Sequence, residues 1–182
     1  MTSEPIELEE DGRVLTVVGV NNIPDAIRGH DTLVSPDYVD LFTVTTSRAG
    51  EKSAEEWARV VLETTPAGRS APLLWRLLGL RLGPTPSPDY VQGWKIADRG
   101  EGWIRIEAAS WFLTAHGVVQ VDDRLLSVAL FIRFERPIAA MIWPPVSALH
   151  RRGAAVMLGQ ALKSHASIET VGPHRGSRDE AS

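Results

Sequence analysis

Residues 125–136 read LLSVALFIRFER, and this stretch constrains the fold more than any other. Val128, Leu130, Ile132 and Phe134 recur at every second position, with Ser127, Ala129, Phe131 and Arg133 between them. That is the period of a β-strand. The run IAAMIWPP links it to VSALHRRGAAVMLGQALKS, which repeats at helical spacing. Pro145 precedes this segment, in the first turn where a helix tolerates proline. Leu149, Gly153, Val156, Met157 and Gln160 share one stripe of the helix, and Arg151 and Arg152 leave on another. A long strand feeding a long terminal helix predicts an α+β fold, a curved antiparallel sheet wrapped around that helix.

The upstream chain supplies the rest of such a sheet. Residues 13–20 (RVLTVVGV) are β-branched and predict an edge strand or an extended arm. Turn formers fill residues 21–36, around a one-turn helix at 24–28. Residues 37–46 (DYVDLFTVTT) form a strand, with Tyr38, Asp40, Phe42 and Val44 on one face.

Ser53 and Glu56 have the spacing of a capping box. The helix behind them carries Trp57, Val60, Val61 and Thr64 on one side, and Pro66 and Gly68 are expected to stop it. A second helix is expected from residues 70–72 to Gly79 or Gly83. Leu73, Leu74, Trp75, Leu77, Leu78, Leu80 and Leu82 leave it almost no polar face, so it is expected to be buried or to cover something apolar.

The loop GPTPSP follows. Strands at 91–97, 103–111, 113–121 and 125–136, joined by short turns, make an antiparallel meander. Residues 1–12 are expected to fray, 13–164 to form one domain, and 165–182 to be a disordered tail.

Bulk properties exclude several functions. Among 182 residues there is no cysteine, which removes disulfides, thiolate metal sites and thiol catalysis. The net charge of −4 and the lack of a basic stripe argue against nucleic-acid binding. The acidic start MTSEPIELEEDG does not resemble a signal peptide, and the apolar stretches near 71–82 and 125–143 are too short or too interrupted to insert stably in a bilayer. A cytoplasmic protein is expected. No GxSxG elbow, P-loop or GxGxxG occurs.

The order of strand, two helices, meander and closing helix resembles the START-like (SRPBCC) superfamily with its helix-grip fold. The stretches DYVDLF, EEWARVVLE, the Leu-rich second helix and WPPVSALHRR are similar to those of a bacterial START-like family of unknown function, over roughly residues 22–163. The resemblance implies an apolar cavity between sheet and terminal helix, filled in superfamily members by lipids, hormones or polyketides. It implies no catalytic residue, because the narrower family has none agreed, and fold alone does not define function.

Candidate chemistry is sparse. His30, His116, His150, His165 and His174 show no metal-ligand spacing, so no metal or cofactor is expected. His116 reads as a surface or edge histidine, and His150 as a residue that can face a cavity. Asp37 and Asp40 leave their strand on opposite faces and make a poor acid–base pair. Asp40, beside Tyr38 and Phe42, needs a partner if buried, and Arg133 or Arg105 is the expected one.

Six tryptophans are many for one domain, and Trp75, Trp94 and Trp111 are placed to converge on a pocket. The reading is a binder of a hydrophobic small molecule or lipid. Its lining is Trp75, Leu78, Trp94, Ile106, Trp111, Leu130, Ile132 and Met157, with Tyr38, Asp40 and His150 as polar groups. The alternatives are a cyclase- or dehydratase-type enzyme using the same pocket through His150 or Asp40, and a homodimeric interaction module built on the Leu-rich helix through Leu77 and Leu80.

Overall fold

The computed structural model describes residues 12–169, with side chains to residue 163. The expectations for residues 1–11 and for the last part of the tail lie outside it. The order is β1 (Val14–Val18), α1 (Asp25–Arg28), β2 (Tyr38–Thr45), α2 (Ala54–Arg59), α3 (Pro66–Leu77), β3 (Tyr90–Val91), β4 (Trp94–Gly100), β5 (Trp103–Ala109), β6 (Leu113–Val121), β7 (Leu125–Phe134) and α4 (Ala139–Glu169). The fold is α+β. Its seven strands form one curved antiparallel sheet in the order β1-β2-β7-β6-β5-β4-β3, with the long helix α4 at the C-terminal end.

The meander β3 to β7 follows from its short turns. Val91 is followed by Gln92 and Gly93, both at positive φ (50° and 85°), so the chain reverses there. The strand expected at 91–97 is therefore a two-residue strand, a tight turn and β4. β2 then pairs along its whole length with β7, Asp40 opposite Leu130 and Phe42 opposite Val128. β1 completes the edge beyond it.

Strand parity sorts the side chains into two cores. Phe42, Val44, Ile104, Ile106, Val119 and Leu130 face the helices, where Trp57, Trp75, Trp143 and Met157 close over them. On the opposite face Val39, Leu41, Val118, Ala129 and Phe131 are covered by Ile23 and Ile27 of the segment around α1. His116 lies on this second face and is buried rather than exposed. Its Nδ1 is 2.7 Å from the Asp31 carboxylate of the covering segment, and Glu107 is 3.6 Å from Nε2.

The helices begin where capping chemistry allows. Ser53 caps α2 through the expected box with Glu56. A π-helical turn, Val60–Thr64, continues α2. Pro66 does not stop that helix so much as start α3, because Thr65 caps it by accepting from the Gly68 amide at 2.9 Å. Gly68 is not a breaker either. A Cβ there would stand 2.5 Å from the Leu62 carbonyl, so the glycine permits the close turn between the two helices. α3 ends before Gly79, whose φ of +69° suits a helix stop.

α4 begins at Ala139, so Pro144 and Pro145 lie inside it rather than at its start, and it runs past Ser164 to Glu169. The prolines remove amide partners from the carbonyls of Ala140 and Met141. Both residues are exposed, in the first turn, where water serves instead. The buried stripe of α4 is Ala139, Trp143, Ser147, Ala154, Met157, Leu158 and Ala161. Leu149 and Val156 of the expected stripe are exposed. The Leu-rich helix departs from expectation in the same way. Trp75 and Leu78 are buried, whereas Leu73 and Leu77 are 68% and 77% exposed.

Candidate functional site

Between the sheet, α3 and α4 lies an apolar cavity of about 60 Å³. Six of the residues expected at a pocket form part of its wall: Trp75, Trp94, Ile106, Leu130, His150 and Met157. Phe42, Leu62, Ala154 and Leu158 complete much of the rest, and the sequence reading passed over all four. Phe42 was findable, since it shares a strand face with Tyr38 and Asp40. The others depend on how the helices dock. Trp75 and Trp94 meet edge to face, ring centroids 5.5 Å apart.

A second, open groove of about 330 Å³ runs between α3 and α4 on the outside. Leu73 and Leu77 border it from α3, and Leu149 and Gly153 from α4. A Cβ at Gly153 would meet nothing within 4 Å, so the missing side chain leaves the groove open. Trp75, His150 and Met157 belong to both groove and cavity and form the partition between them.

Behind this partition sits a polar set. Asp40 is fully buried. Its Oδ2 accepts from the Tyr38 hydroxyl at 2.8 Å, and that hydroxyl accepts from Arg151 at 2.9 Å. Arg151 also donates to the Ser147 hydroxyl. The second oxygen, Oδ1, is 3.5 Å from Nε2 of His150. Neither atom makes a hydrogen bond.

Burial, reinforced by the adjacent Asp40 carboxylate, pushes the Tyr38 phenol up to about 12, so it stays a neutral donor. The imidazole of His150 is ringed by Phe42, Trp75 and Trp143 at centroid distances of 6.0, 5.7 and 6.5 Å. Tyr38 packs edge-on against Trp143. The indole N–H groups of Trp75 and Trp143 are also buried without partners.

Arg105 and Arg133, the expected partners of Asp40, leave their strands on the other face. Arg105 pairs with Glu107 and the carbonyl of His30, and Arg133 pairs with Glu135. Burial, and then the nearby Arg105, lowers the pKa of His30, which stacks on Trp103 well away from the cavity.

Tyr38 and Asp40 stand behind the cavity wall, reached through His150. Leu78 and Ile132 are buried but are not part of that wall. Trp111 is 61% exposed and packs on Phe112. It falls after the end of β5, in a turn where the Ser110 hydroxyl accepts from the amides of Phe112 and Leu113, so strand parity no longer aims it inward.

Chemically the set offers a polar group a buried carboxylate oxygen and an imidazole nitrogen. Among the described residues no cluster of three or more His, Asp or Glu side chains is placed to hold a metal ion, and no helix is long and apolar enough to cross a membrane. No protein-family model matches the chain, and no curated protein and no solved structure is similar to it at a significant level.

Proposed function

We propose that this protein binds an apolar small molecule or lipid chain between its sheet and α4, in the manner implied by the START-like, helix-grip resemblance. The observation that carries the reading is the shared partition. An apolar cavity and an apolar groove abut at Trp75, His150 and Met157, so movement of these side chains joins them.

Size decides how the ligand sits. Pockets that bury a drug-sized molecule hold roughly 300–1,000 Å³. The cavity alone is far below that range, and the groove of about 330 Å³ reaches it. The body of the ligand lies along the groove and one apolar end enters the cavity. Native mass spectrometry of the purified protein, followed by solvent extraction, tests this. One apolar molecule per chain is the expected result, lost in Gly153→Trp, whose indole fills the groove. A bare mass for the wild type after exposure to a lipid extract contradicts the proposal.

A second reading draws on the exposed apolar side chains beside the groove. Leu73, Leu77, Leu149 and Val156 form a surface suited to a second copy of the chain. Light scattering after size-exclusion chromatography distinguishes it: a dimer that dissociates in Leu77→Glu supports this reading, and a wild-type monomer removes it.

A further inference from the structure

Four buried polar atoms of neighbouring residues have no hydrogen-bond partner: Asp40 Oδ1, His150 Nε2, and the indole nitrogens of Trp75 and Trp143. A buried polar group left unpaired is costly, and such groups in native proteins are few. Three of the four belong to rings packed around or including the His150 imidazole. The fourth, on Asp40, lies 3.5 Å from that imidazole. Three neighbours of Asp40 on this side line the cavity. Phe42 is two residues along β2, Leu130 is directly across in β7, and His150 lies over it.

We infer that the ligand is an apolar molecule carrying a hydroxyl group, and that this hydroxyl is bound by Asp40 and His150, behind the partition that His150 helps to form between groove and cavity. The inference rests on the binding reading above and names the ligand's chemical class.

The donor and acceptor inventory selects the group. Asp40 Oδ1 offers an acceptor, and an imidazole nitrogen such as His150 Nε2 can offer a donor. A hydroxyl both donates and accepts, so it satisfies the carboxylate and one ring nitrogen at once. An oxygen set to one side of the 3.5 Å pair lies within about 2.8 Å of both atoms, a normal hydrogen-bond distance. An ether or ketone accepts only and leaves Asp40 Oδ1 unpaired. A carboxylate is repelled by Asp40. An ammonium donates only, so it cannot accept from His150, and the guanidinium of Arg151 stands behind Tyr38, two hydrogen bonds from Asp40.

Octan-1-ol, 1-methoxyheptane, octanoate and octylammonium share a size and differ in this one group. Each is titrated into the full-length protein, and binding is followed by tryptophan fluorescence. The alcohol is expected to bind about tenfold or more tighter than the ether, the factor that one charge-assisted hydrogen bond supplies. Octanoate is expected to bind weakest. Asp40→Asn keeps the side-chain shape and removes its charge, and there the ratio of alcohol to ether is expected to fall at least about threefold.

Equal affinities for alcohol and ether overturn the hydroxyl assignment and leave apolar binding intact. Tightest binding by octylammonium also overturns it and gives Asp40 an ammonium partner. Saturation by none of the four overturns the binding reading itself.

Discussion

At Asp40, a buried carboxylate stands behind an apolar cavity wall with a tyrosine on one oxygen and a histidine near the other. Half of this was legible in the sequence. Tyr38 and Asp40 are two apart on a strand, so they share a face, and period two brings the phenol to the carboxylate. The same period shows why the arginine partners were wrong, since Arg105 and Arg133 alternate out of that face. His150 and Arg151 reach the site only through the docking of α4, which no local pattern encodes.

The raised pKa of Tyr38 can be measured directly. The chain has two tyrosines, Tyr38 and Tyr90. The tyrosinate absorbance of the wild type minus that of Tyr38→Phe is expected to titrate near pH 12, with a lower midpoint in Asp40→Asn; a midpoint near the ordinary value of about 10 contradicts it. The sign of the linkage follows. The folded value lies above the unfolded one, so the contribution of Tyr38 to stability is complete below about pH 10 and is lost as the pH rises towards 12.

On the outer face His116 holds the buried carboxylate of Asp31, which otherwise has the Leu33 amide. His116→Leu is expected to cost about 1–3 kcal/mol in urea denaturation by stranding that carboxylate. An unchanged midpoint contradicts the burial described for this pair.

Among the elements, β7 and its alternation were plain in the sequence, and so were α1 and the capping box of α2. Proline and glycine account for the errors at helix ends: the pattern makes Pro66 and Gly68 breaks and Pro145 the start of the last helix. Pro66 starts a helix, Pro144 and Pro145 lie in an exposed early turn, and Gly68 permits two backbones to approach. A pattern reading weighs what these residues do to an isolated helix, whereas the fold uses them where helices meet. Two substitutions make the distinction measurable. Gly68→Ala places a methyl against backbone carbonyls 2.5 and 2.6 Å away and is expected to destabilise the fold by about 1–3 kcal/mol. Gly159→Ala, in α4 with nothing within 4 Å of the new carbon, is expected to stabilise it by about 0.5–1 kcal/mol. Equal effects from the two, read as denaturation midpoints, contradict the close approach at Gly68.

Across the whole molecule, the meander was readable because its turns are short, but the pairing of β2 with β7 joins residues about half the chain apart and has no local signature. That pairing joins β1 and β2 to the meander, sets Asp40 opposite Leu130 and completes the floor beneath α3 and α4. The Leu-rich helix shows the same limit. Its composition announced apolar contact on all sides, yet only the docking of α4 shows that Leu73 and Leu77 border an open groove. The central claim is that an apolar molecule passes from this groove through the partition at Trp75, His150 and Met157. The chain has three methionines, of which Met157 is buried at the partition and Met141 is 79% exposed. Methyl NMR of methionine-labelled protein during titration with octan-1-ol tests the claim most directly. A saturable shift of the Met157 methyl at one equivalent, with Met141 unmoved, is the expected result. Linear drift of both methyls, or no movement of Met157 at all, contradicts it.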